Sequence, residues 1–239
     1  MLGVSLGMSA IYALLSFVRT EVTVPGGFAN AQVSVVSEPA TSYPILDLLD
    51  GLANVLNGVL PAFLAIVLLL RSPGGRFADG LGVGLAPVRR RELLHGLGFA
   101  ALIGLPGLAL VWLGHQFGFN GTIIAADAPD RWYRIPLLLL EAAQSGIVEE
   151  VVVVAFLLTR LRQLGWTNQR ALAASALLRG TYHLYQGYGG FAGNLVMGLI
   201  FGAWFQRTRR VLPLIIAHFL LDAFSFVGYV YLHGRVSWI

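Results

Sequence analysis

Residues 145 to 158 read SGIVEEVVVVAFLL, with two adjacent glutamates, Glu149 and Glu150, inside an aliphatic run. Two further apolar stretches carry chemistry of the same kind. RGTYH sets Arg179 and His183 four residues apart, and HFLLD sets His218 and Asp222 four apart. On a helix that spacing puts both side chains on one face, a turn apart. Adjacent carboxyls in a low-dielectric site cannot both ionise cheaply, so one carboxylate beside a protonated or hydrogen-bonded partner is expected. Held near an imidazole, that carboxylate is a general base for water, while a second imidazole or a protonated acid can donate to a developing oxyanion. This is a hydrolase constellation that uses neither serine nor cysteine as nucleophile. The same side chains are also ligands for a divalent metal with water in an open position. From the residues alone, a reaction without cofactor and a metal-assisted one both stay open.

The elements that must position these groups are membrane helices. Of the 239 residues, 56% are hydrophobic and only 12% charged, too little polar surface for a soluble globule of this length. An all-α, polytopic transmembrane helix bundle is expected, with about seven spans at roughly 2–18, 47–70, 94–116, 135–159, 168–186, 190–206 and 211–232. The first span lacks a basic leader and a clear cleavage site, so it is expected to stay as a helix. A charge at mid-bilayer costs about 2.5 to 3.5 kcal/mol on insertion scales, so ionisable groups within spans face the bundle interior. Glu149, Arg179 and Asp222 each lie 11 residues from the nearest arginine or helix start, Arg160, Asn168 and Val211. At the helical rise that is about 16 Å of depth, one common layer near the midplane.

All sixteen basic residues are arginine. Eleven fall in the loops expected on one side, Arg71 to Arg91, Arg160 to Arg170 and Arg207 to Arg210, against four on the other, Arg19, Arg131, Arg134 and Arg235. The N-terminus and the arginine-rich loops are therefore expected to be cytoplasmic. The net charge of +4 reflects this topology, and no aromatic-interleaved basic patch suggests nucleic acid as a partner. There is no cysteine, which excludes disulfides and thiol chemistry. Residues 19–46 look like an external loop without helical periodicity, and 71–93 like a Gly/Pro-punctuated connection whose arginines can meet anionic headgroups. Gly198 and Gly202 form a small-residue face for close helix packing. Asp50, Asn54 and Asn57 make a polar stripe running inward, and Trp132 and Tyr133 are expected as interfacial anchors.

The three motifs in this order, EE, RGTYH and HFLLD, each within a hydrophobic segment, resemble the CPBP family of CAAX proteases and bacteriocin-processing or immunity proteins, also called Abi. The family pattern is EExxxR, FxxxH and HxxxN or HxxxD, and the resemblance covers about residues 80–232. It implies N-terminal helices and an external loop over 1–79 and a catalytic helix bundle over 80–239, together one structural domain in a bacterial-type plasma membrane. It further implies an intramembrane endopeptidase acting on a peptide or membrane-protein substrate, with Glu149 activating water and His183 helping to hold it. Glu150 would support the site, and His218 and Asp222 would stabilise the oxyanion. The family also implies an alternative, an inactive member serving as immunity factor or scaffold. Two positions depart from the pattern. Val154 stands where the family has arginine and Arg179 where it has phenylalanine, so Arg179 is expected to supply the missing ion pair to Glu150.

Overall fold

The computed structural model describes residues 6–36, 42–71, 89–118, 122–124, 131–232 and 235. Among them seven helical rods form the bundle: α1 (Leu6–Thr23), α2 (Pro44–Leu70) and α3 (Arg90–Gln116), then one long rod, then α6 (Asn168–Tyr182), α7 (Tyr188–Thr208) and α8 (Leu212–Leu232). The long rod joins α4 (Arg134–Glu149), a π-helical segment (Glu150–Leu157) and α5 (Leu158–Gln163). Four helices, α2, α3, α7 and α8, are long and apolar enough to cross a membrane, and the protein is an all-α membrane helix bundle.

Local sequence explains where these rods begin and end. Pro44 opens α2, where its missing N–H leaves no donor unpaired. The Thr167 hydroxyl caps α6 by accepting from the Arg170 N–H at 3.3 Å. Glu92 accepts from the Arg89 N–H at 3.0 Å and also pairs with Arg210, which ties the start of α3 to the chain entering α8. Arg209 takes a left-handed backbone, φ 56°, and so turns the chain from α7 directly into α8.

The rods pack in the order α2 on α4, α4 on α8 and α8 on α3, with α6 against α1 and α7. The core gathers Ala65 and Leu69 of α2, Val151 and Val152 of the π segment, Phe201 of α7 and Leu214 of α8. The π segment is thus the buried centre of the bundle. Outward-facing side chains such as Leu60 and Phe63 on α2 or Leu102 and Leu105 on α3 are apolar and exposed, the surface a bilayer solvates.

Several local expectations change. The segment expected as loop from 19 to 46 begins as helix, because α1 continues to Thr23 and includes Arg19. It then forms a 3₁₀ turn at Gly27–Asn30 and a strand, β1 (Gln32–Ser34), parallel to β2 (Thr122–Ile124). The β-branched residues suit a strand, but the partner lies about ninety residues away, where no local pattern points to it. Tyr133, expected as an interfacial anchor, does not stand at the surface as Trp132 does. It is 3% exposed against 82%, and its hydroxyl bonds Asp47 at 2.9 Å beside the Arg131–Asp47 salt bridge. The helix expected over 168–186 ends at Tyr182, where the His183 N–H bonds the Gly180 carbonyl three residues back and the chain tightens to 3₁₀. Most of the 71–93 connection, residues 72–88, and residues 37–41 of the first loop lie outside the described residues.

Candidate active site

Gly146 sets how closely α4 and α8 approach. A Cβ there would lie 3.1 Å from the Phe219 backbone nitrogen and 3.3 Å from the Ile215 carbonyl oxygen. With only a hydrogen at that contact, the residues one turn further on α4, Glu149 and Glu150, come beside His218. At Glu150 the helix widens to i→i+5 bonding. More residues per turn means a smaller angle between consecutive side chains, so the adjacent acids diverge less than on an α-helix and meet the same partners. The Ser175 hydroxyl donates to the Val153 carbonyl at 2.8 Å, supporting the widened segment from α6.

Arg179 enters from α6 with none of its surface exposed. Its stem passes Gly198 of α7, whose added Cβ would meet Arg179 Cδ at 3.3 Å and Ala176 Cα at 3.0 Å. The guanidinium lies over the Phe201 ring, 5.6 Å from the centroid. Its Nη2 donates to Glu150 Oε1 at 2.5 Å and lies 3.3 Å from Glu149 Oε2. His218 Nδ1 lies 2.7 Å from the same Glu150 oxygen and 3.0 Å from Arg179 Nη2. A carboxylate only accepts, so the shorter contact to Glu150 puts a hydrogen on Nδ1; the Arg179 contact, donor against donor, is then not a hydrogen bond. The other ring nitrogen of His218 then faces Asp222 Oδ2 at 3.5 Å, with Ser145 beside Asp222 in the same cavity lining.

The two glutamates are not equivalent. Glu150 is fully buried, whereas Glu149 lines a cavity of about 250 Å³ together with His183, His218 and Asp222. Glu149 Oε2 accepts from the Tyr182 hydroxyl at 2.7 Å, and His183 Nε2 lies 3.5 Å away. All six residues singled out in the sequence, Glu149, Glu150, Arg179, His183, His218 and Asp222, converge here. Val154 lies in the apolar core. Of the polar stripe on α2, only Asn54 is among the described residues lining the cavity.

Tyr182, Ser145 and Glu141 were not singled out in the sequence. Tyr182 immediately precedes His183, and its hydroxyl donates to the same Glu149 oxygen that Arg179 and His183 approach. Glu141, Ser145 and Glu149 sit at i, i+4 and i+8, the spacing of one helix face, and all three line the cavity. That period was the available signal.

A divalent metal does not fit this donor set as it stands. No group of three His, Asp or Glu side chains among the described residues converges as metal ligands would. The Arg179 guanidinium already holds both glutamates, and a metal would compete with it for the same oxygens.

Residues 131–224 match the family model described as Type II CAAX prenyl endopeptidase Rce1-like. No curated protein and no solved structure matches the chain. The matched segment contains every member of the Glu–Arg–His–Asp network. Over residues 131–224 the chain therefore carries an Rce1-like type II CAAX prenyl endopeptidase domain, consistent with the CPBP family.

Proposed function

We propose that the protein is a glutamate-dependent intramembrane endopeptidase, with Glu149 as general base and no metal in the reaction. The observation that carries the reading is the division of labour between adjacent acids. Glu150 is dry and held by Arg179 and His218, while Glu149 faces a cavity beside His183. A purely structural ion-pair cluster has no need of such a cavity.

In the proposed reaction a water lies between Glu149 and His183, both within reach of the cavity. Glu149 takes one proton as the water oxygen bonds to the peptide carbonyl carbon. The carbonyl electrons move to oxygen, where His218, acting as an imidazolium with its Nδ1–H on Glu150, donates its Nε2–H to the oxyanion while Asp222 orients the ring. When the oxyanion collapses, the C–N bond breaks and Glu149 returns its proton to the leaving amine. Arg179 and Glu150 are positioning residues: they fix His218 and the orientation of Glu149. The family description names prenyl endopeptidases, and this mechanism requires only a membrane-associated peptide or protein whose scissile bond enters the cavity. A bacterial-type plasma membrane is the proposed location.

The test is cleavage of a membrane-peptide library by purified protein in detergent. Glu149→Gln should lower the rate by about a hundred- to ten-thousandfold, the span of general-base catalysis. His183→Ala should be similarly impaired, and a chelator should leave wild type unchanged. Loss of cleavage with chelator, or cleavage retained by well-folded Glu149→Gln, would refute the mechanism.

A further inference from the structure

The reaction leaves one acid in the cavity without a task. Glu141 lies two turns before Glu149 on α4, and both line the same space. Its Oε2 is buried and has no hydrogen-bond partner among the described residues. Glu141 is partly buried, and a carboxylate oxygen without a partner there is costly in a membrane bundle, so a ligand donor that reached it would be favoured. The neighbouring lining groups, Asn54 of α2 and Gln144 of α4, add amide oxygens. Of the three acids lining the cavity, Glu149 is held by Arg179 and Asp222 faces His218, which leaves Glu141 as the lining acid with no salt bridge among the described residues. Such a lining attracts a cation and disfavours an acidic side chain.

We propose that Glu141 is a specificity residue, selecting peptides with a lysine or arginine three or four residues from the bond that Glu149 attacks. The spacing follows from geometry. Eight residues of helix separate the two glutamates by about 12 Å along α4. An extended peptide covers that in three to four residues at about 3.3 Å each. The peptide's ammonium or guanidinium would pair with the Glu141 carboxylate, and its remaining N–H donors would reach the amide oxygens of Asn54 and Gln144. The inference rests on the endopeptidase reading for the identity of the ligand as a peptide.

The experiment measures binding and cleavage separately on one set of fluorescent peptides. Each carries a single lysine, moved position by position, with norleucine or glutamate as replacement. Binding is read by anisotropy on the Glu149→Gln protein, which holds peptide without consuming it. The lysine peptide is expected to bind about tenfold more tightly than the norleucine peptide at one position, the scale of one charge-assisted contact. Adding Glu141→Gln, a near-isosteric change, should bring that ratio close to one, and Glu141→Lys should turn the preference toward glutamate. No lysine preference, or a preference that survives Glu141→Gln, overturns the proposal. Cleavage by the wild-type protein reports on the reaction itself. Glu141-dependent discrimination without cleavage would sink the endopeptidase reading and keep Glu141 as a recognition group. Cleavage indifferent to lysine would do the reverse, and absence of both would sink both.

Discussion

Replacing Arg179 with methionine keeps a long apolar stem and removes the cation that two carboxylates share. Nη2 lies 2.5 Å from Glu150 Oε1 and 3.3 Å from Glu149 Oε2, and neither Arg179 nor Glu150 has exposed surface. Breaking a buried pair from one side costs about 3 to 5 kcal/mol, because the charge left behind has neither water nor partner. The expectation for Arg179→Met is a loss in that range at pH 8. Adding Glu150→Gln removes the stranded charge nearest the missing guanidinium, so the double variant should recover about 1 to 3 kcal/mol over Arg179→Met. Equilibrium unfolding in mixed micelles, followed by the fluorescence of the five tryptophans, gives all four corners of the cycle. An Arg179→Met protein within about 1 kcal/mol of wild type, or a double variant no more stable than Arg179→Met, would refute the account of this network.

Two further substitutions test how Glu149, the proposed base, is held. Tyr182→Phe deletes the 2.7 Å hydrogen bond to Glu149 and should lower kcat about tenfold, with a smaller effect on KM, in steady-state cleavage assays. An unchanged kcat would show that the hydroxyl plays no part in placing the carboxylate. Gly146→Val should cost about 1 to 3 kcal/mol in the same unfolding assay and abolish cleavage, because side-chain atoms would push α8 away from α4. Gly98→Ala is the control. Nothing lies within 4 Å of its added Cβ on α3, so it should stabilise the helix by about 1 kcal/mol and leave cleavage intact.

Much of the site was legible in the chain. Burying an ionisable group in hydrocarbon is so unfavourable that each one inside an apolar run must face inward, so counting residues from the helix ends gave a common layer for Glu149, Arg179 and Asp222. The four-residue spacings of Arg179 with His183 and of His218 with Asp222 placed each pair on a shared edge. Glu141 and Ser145 followed the same rule on α4 and could have been found by extending the period back from Glu149. Tyr133 was not legible, because a tyrosine at a helix start reads alike whether it meets headgroups or a buried aspartate such as Asp47.

The sequence by itself determined the class of molecule and the inventory of the site. Composition demands a helical bundle in lipid, and the inward-facing acids, histidines and arginine follow from the energy of charge in hydrocarbon. The resemblance gives Glu149 and Glu150 different expected roles; only the tertiary structure shows how differently the two are surrounded. Glu149 and Glu150 are identical in type, adjacent in the chain and equally deep, so no local pattern separates them. Their difference arises from packing: the helix widens at Glu150, α8 closes against Gly146, and α6 brings Arg179 to both acids and Tyr182 to Glu149. One carboxylate is thereby sealed by a cation and an imidazole while the other is left facing a cavity, because burial and hydrogen bonding depend on neighbours distant in sequence.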